Sequence, residues 1–161
     1  MKIYLVEGVS GTGKTTVCEE LKRRGYKAVE ADEEIAHYAD PKTGLPTEEK
    51  VPDNWLWNEE KFNNAIKQEG HELVFICGGA MNQEEFKHHF TKIFTLHIDD
   101  ETLKLRLANR TNNDFGKRPD ELGLMLDWNR GTVKYSQQRG TTLIDATKSI
   151  SSVVDEIISH I

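Results

Sequence analysis

Cysteine is scarce in this chain: Cys18 and Cys77 are the only two in 161 residues. They match no zinc-ligand spacing and form no disulfide framework, so both read as small buried hydrophobes in a reducing cytoplasm. No apolar run is long enough to cross a bilayer, and the opening Met1-Lys2-Ile3 lacks the pattern of a signal peptide. A cytoplasmic protein without a membrane partner is therefore expected. Basic charge is also in deficit, with 21 Lys and Arg against 27 Asp and Glu, a net charge of −6. That balance argues against a nucleic-acid partner. No Asn-Lys-x-Asp occurs, which excludes the usual guanine-specific switch. Repeats and low-complexity segments are missing too, and the length suits one domain spanning 1–161.

What is present is concentrated near the start. The stretch GVSGTGKTT, residues 8–16, follows the apolar run Ile3–Val6. Gly8, Gly13, Lys14 and Thr15 satisfy G-x-x-x-x-G-K-[ST], whose glycines let successive backbone N–H groups close around a phosphate. Gly8, Gly11, Thr12, Gly13, Lys14, Thr15 and Thr16 are thus candidate nucleotide-binding residues. Lys14 would reach the β- and γ-phosphates of ATP, and the Thr15 hydroxyl would ligate Mg²⁺. A helix starting near Lys14 would add its positive end.

Along the chain, strands alternate with helices. Strands are expected at Lys2–Glu7, Tyr26–Glu30, Leu73–Cys77, Ile93–Ile98 and Thr142–Asp145. Helices are expected at Lys14–Arg24, Asp32 to about Tyr38, Glu59–Glu69, Asn82–His89, Glu101–Arg110, after the polar stretch Thr111–Pro119 to about Gln138, and Ser149–His160. Asp40 to Asn54 carries three prolines and reads as a loop. This order implies an α/β fold with a parallel sheet covered on both faces.

With those elements in place, the chain resembles the small P-loop kinases of the nucleoside monophosphate kinase, shikimate kinase and gluconate kinase type. Glu30-Ala31-Asp32-Glu33-Glu34-Ile35 is similar to the D-x-D-x-x-I of shikimate kinases. Cys77-Gly78-Gly79-Ala80 looks like their Gly-rich acceptor turn. Leu105 to Arg110 is similar to the arginine-bearing helix beside the adenine, and Arg118-Pro119 falls where a lid carries its arginine. Arg130 with Tyr135 echoes a late R-x-x-x-x-Y, and Asp145-Ala146-Thr147 the loop bordering the adenine. The resemblance implies a doubly wound five-stranded sheet of order 2-3-1-4-5, an acceptor region at about 32–70 and a lid at about 111–120.

Phosphoryl transfer depends on positioning and on charge stabilisation. Lys14 and a lid arginine, Arg118, would supply the charge, and Asp32 would take or orient the acceptor hydroxyl. Glu30 would hold a Mg²⁺-bound water. It replaces the aspartate of the shikimate kinase pattern. Trp55, Trp57, Gly78, Gly79 and Arg130 are candidates for acceptor contact, while Arg110, Asp145, Ala146 and Thr147 would border the nucleotide. Structural roles compete. Asp32 can cap a helix, Arg118 and Arg130 can be solvated surface charges, the tryptophans can be core, and the acids of Asp99-Asp100-Glu101 read as a helix N-cap rather than as metal-binding acids.

The span between Arg24 and Arg106 has no arginine, although it holds the expected acceptor region. A bidentate fork for phosphate or carboxylate is hard to replace. An uncharged or cationic small-molecule acceptor follows, a nucleoside first, with a nucleoside monophosphate and a shikimate- or gluconate-type acid as rivals. A nucleotide-dependent ATPase or switch is the alternative of another class. The expected assembly is a monomer or homodimer.

Overall fold

The computed structural model describes residues 1–67, 70–111 and 114–161. The expected end of one helix at Glu69, and Asn112-Asn113 in the expected lid, lie outside the described residues. Five parallel strands, β1 (Lys2–Glu7), β2 (Ala28–Glu30), β5 (Leu73–Cys77), β6 (Lys92–His97) and β7 (Thr142–Asp145), line up as β2-β5-β1-β6-β7. Counting the strands of this sheet alone, that is the expected order 2-3-1-4-5. A separate two-stranded ribbon pairs β3 (Ala36–Tyr38) antiparallel with β4 (Trp55–Trp57).

Alternation along β1 shows why the sheet needs two covers. Tyr4 and Val6 face one apolar cluster, with Val17, Cys18 and Leu21 of α1 (Lys14–Arg23), Leu103 and Leu107 of α4 (Asp100–Asn109), Met125 of α5 (Pro119–Arg139), and Val153, Val154 and Ile157 of α6 (Ile150–Ser159). Ile3 and Leu5 face the other, with Ile35, Trp57, Phe62 and Phe86. Its helices are α2 (Ala31–Glu34) and α3 (Glu59–Ile66). Both cysteines are buried and free.

The largest departure from expectation lies just after β2. The helix expected from Asp32 to Tyr38 is one turn long, Ala31–Glu34, with Glu30 rather than Asp32 at its N-cap. Ala36–Tyr38 is extended, because Tyr38 faces Trp55 (ring centroids 4.9 Å apart) and Ala36 faces Trp57. Such cross-strand aromatic contacts outweigh a short helix, whose nucleation is costly. The expected loop before Asn54 is also more ordered, with an Ala39–Pro46 bridge and a 3₁₀ turn at Pro52–Asn54. Gln83–His89 is a 3₁₀ rather than an α-helix. Its would-be cap, Asn82, is spent elsewhere: it accepts from Trp57 N (2.8 Å) and donates to Trp57 O (3.1 Å).

Candidate nucleotide and acceptor site

The turn from β1 into α1 forms the floor of a cleft of about 530 Å³. Thr12 closes it locally, its N and Oγ1 both donating to the Val9 carbonyl (3.2 and 2.8 Å). Gly13 enters α1 at φ 102°, a left-handed conformation that glycine adopts without a Cβ penalty. Among the described α-helices, α1 alone starts with neither a side-chain cap nor an acid in its first turn. Its free N–H groups and dipole are left for an external anion.

Lys14 bends back so that Nζ donates to the carbonyls of Gly8 (2.9 Å) and Val9 (3.3 Å). Burial pushes its pKa down and Arg110 adds to this, while the Asp32 carboxylate pulls it up. Thr15 Oγ1 donates to Glu30 Oε1 at 2.5 Å. A hydroxyl and a carboxylate so close are hard oxygen donors suited to Mg²⁺, which keeps several waters and shares itself with phosphates. Among the described residues no three His, Cys, Asp or Glu side chains gather to hold a metal. Asp32 lines the same cleft as Lys14 and Thr15. A Cβ on Gly78 would lie 2.6 Å from Ala31 Cβ and 3.2 Å from Asp32 Oδ1, so only glycine lets the turn after β5 approach this carboxylate.

The far wall comes from α4 and the loop after β7. Arg110 donates to Ser10 Oγ (2.9 Å) and to the Phe115 carbonyl. Burial lowers its pKa. Arg106 donates to Thr12 O (3.1 Å) and Ala146 O (2.8 Å), tying the loops on either side of the cleft together. Asp145 is held below the usual carboxylate range by hydrogen bonds from Thr147 Oγ1 (2.6 Å) and N (3.0 Å). It thereby shapes the loop, and Ala146 and Lys148 line the cleft. Asp99 caps α4, accepting from Thr102 N and Oγ1, as the sequence suggested.

Other candidates are elsewhere. Arg118 stands at the N-cap of α5, 70% exposed and paired with Asp120 at 2.6 Å, outside the cleft lining. Arg130 pairs with Asp100 at 2.7 Å and does not join Gly78 and Gly79. Trp57 is 2% exposed and packs against Phe62, Phe86 and Phe90, so it is core rather than a stacking face. Trp55 is half-buried beside Tyr38. A smaller cavity of about 360 Å³ adjoins the ribbon. Its walls include His37, Asp53, Glu59, Met81 and Glu85, and no lysine or arginine.

Sequence reasoning passed over several residues. Arg106 precedes Arg110 by one helical turn, a spacing that puts both on one face. Glu7 follows the apolar run Ile3–Val6 at the end of β1, and a buried acid there must have partners. It has three: Thr95 Oγ1 (2.7 Å), Gln83 Nε2 (2.5 Å) and Arg139 Nη1 (2.9 Å).

Comparison with known proteins follows this geometry. Residues 5–126 match the model of a family described as AAA domain. No curated protein matches the sequence. Among solved structures the chain is similar to a sugar kinase from a Janibacter species, at 15% identity and a TM-score of 0.59 over 99% of this chain and 93% of that one. It is similar to shikimate kinase from Bacteroides thetaiotaomicron, at 18% identity and a TM-score of 0.56 over 99% and 97%. A deoxyadenosine kinase from M. mycoides, with bound dATP, gives 13% and 0.57 over 99% and 98%. At these identities the likeness is one of fold, and the fold is that of small P-loop kinases.

Proposed function

Because the chain belongs to the AAA domain family, we propose that it works as a kinase, moving the γ-phosphoryl group of ATP to a hydroxyl of a small, uncharged acceptor. The observation that carries this reading is Asp32 sharing one cleft with Lys14 and Thr15. A carboxylate lining the phosphate cleft can accept or orient an acceptor hydroxyl proton, and the phosphorylated product distinguishes that role from orienting a water for hydrolysis. The similar kinases named above use the same frame for a sugar, for shikimate and for deoxyadenosine.

In this reading the N–H groups at the start of α1 hold the phosphates, and Lys14 leaves the Gly8 and Val9 carbonyls to meet them. Thr15 and, through water, Glu30 would hold Mg²⁺, which would supply charge neutralisation at the phosphate oxygens. Ser10 and Arg110 flank the nucleotide, and Ala146 and Lys148 border its base. Arg118 swings from Asp120 into the cleft as a lid arginine, adding positive charge and excluding water. The acceptor lies between Asp32, Gly78, Gly79 and Trp55. Free thiols at Cys18 and Cys77 suit a reducing cytoplasm, and one domain over 1–161 carries the whole site.

The best acceptor is a nucleoside. The ribbon and the smaller cavity offer aromatic faces and carboxylates but no arginine. A coupled ADP-release screen with ATP, run against nucleosides, their monophosphates, sugars, sugar acids and shikimate, tests the proposal. Mass spectrometry should find a phosphorylated nucleoside. ADP and inorganic phosphate alone, with every acceptor, would make the protein an ATPase.

A further inference from the structure

The chain has seven arginines, and one of them, Arg139, stands beside the acceptor turn already occupied. Its Nη1 donates to both oxygens of Glu7 (2.9 Å each), and its Nη2 forms an ion pair with Glu84. The guanidinium lies 4.7 Å from the Tyr135 ring centroid. Gln83 places the group. Its Nε2 bonds Glu7, and its Oε1 lies 3.3 Å from where a Cβ on Gly79 would stand. Glu7 immediately precedes Gly8. The cluster therefore bridges the root of the phosphate loop and the turn expected to meet the acceptor.

Two features set its chemistry. Two carboxylates face one guanidinium, leaving one negative charge in excess. The side-on edge of the guanidinium, Nε and Nη2, is buried and makes no hydrogen bond, since Glu84 meets Nη2 as an ion pair out of hydrogen-bonding line. That edge is the fork that grips a carboxylate or phosphate. Arg139 is 9% exposed, whereas Glu84 is 55% exposed and so can be changed without opening the core.

Resting on the kinase reading above, we propose that Glu84 is the specificity-determining residue that sets the acceptor site against anions. By covering the Arg139 fork it cancels the guanidinium that stands beside the acceptor turn and would otherwise hold an acceptor's phosphate or carboxylate. An anionic acceptor must displace Glu84, while a neutral one leaves the pair intact.

Glu84→Gln removes the covering charge and keeps the shape. The parent should favour nucleosides over their 5′-monophosphates by tenfold or more in kcat/KM. In Glu84→Gln this preference should shrink at least tenfold, through a lower KM for the monophosphate, with KM for ATP unchanged. Glu60→Gln, an equal charge change on the exposed face of α3, should leave the preference as it was. An unchanged preference in Glu84→Gln overturns the proposal. A second measurement does not depend on turnover. With Mg²⁺ and a non-hydrolysable ATP analogue filling the phosphate loop, sulfate is titrated calorimetrically at constant ionic strength. Glu84→Gln should bind it at least fivefold more tightly than the parent, and equal affinities overturn the proposal whatever the kinetics. Tighter sulfate binding without any phosphorylated product upholds the role of Glu84 in excluding anions and rejects the kinase reading instead.

Discussion

The two ends of the cleft are built on opposite plans. At the phosphate end, charge and donors are left over: α1 starts bare, and Lys14 rests on two carbonyls that a phosphate would replace. At the acceptor end the polar side chains are already engaged with one another. Asn82 is consumed by the Trp57 backbone, Arg139 by Glu7 and Glu84, and Gln83 by Glu7. The difference teaches that the first end is organised to receive an anion, whereas the second is organised to hold its own shape. A ligand there gains by fitting rather than by neutralising.

The largest effect expected is at the phosphate end. Lys14→Ala should lower kcat about 1,000-fold or more, as loss of a main charge-stabilising group does, with the circular dichroism spectrum and melting temperature close to the parent. A variant that turns over at the parental rate would erase the contrast between the ends. At the other end the large effect should fall on stability. Trp57→Ala should cost about 3–5 kcal/mol in denaturant unfolding. Trp55→Ala should cost much less there and act mainly on KM for the acceptor. Equal unfolding losses would show that both tryptophans are core.

Asp32→Asn tests the boundary between the two plans. Transfer should fall about 100-fold, the range of a lost general base, while calorimetry should find ATP affinity nearly unchanged. If transfer survives, Asp32 is one more acid at a helix start. The smallest effect concerns the far end of α1, which braces the phosphate loop from behind. Arg23 and Arg24 pull the Glu20 pKa from 4.5 to about 2. A carboxylate lowered on folding stabilises fully above its unfolded pKa and loses that contribution as pH falls through the folded one. Glu20→Gln should therefore lower the melting temperature slightly at neutral pH, and this difference should vanish between pH 4.5 and 2.

What the sequence made legible follows the same division. The strand order came from the family resemblance, while the strands of the sheet and the phosphate loop rest on local signals, apolar runs and a glycine spacing. The ribbon did not, because Ala36–Tyr38 is extended only through partners nearly twenty residues away at Trp55–Trp57. Acids at Asp32, Glu33 and Glu34 gave a true helix start but no sign of how soon it stops. The helix expected from Asn82 is a 3₁₀ helix instead, because the Asn82 side chain is taken up by the Trp57 backbone. The sequence points to Arg130 for the acceptor end and not to Arg139, since which of them reaches the Glu7 cluster is settled by the turn of a long helix.

The three tryptophans sit at three depths: Trp57 buried, Trp55 half-buried and Trp128 42% exposed. Emission from an indole shifts to the red as water reaches it, so the protein carries its own optical depth gauge. Trp128 reports on the solvent face of α5, and Trp57 stays dark to quenchers until the chain unfolds. Trp55, between them, is the ring whose colour should change when something settles against the ribbon.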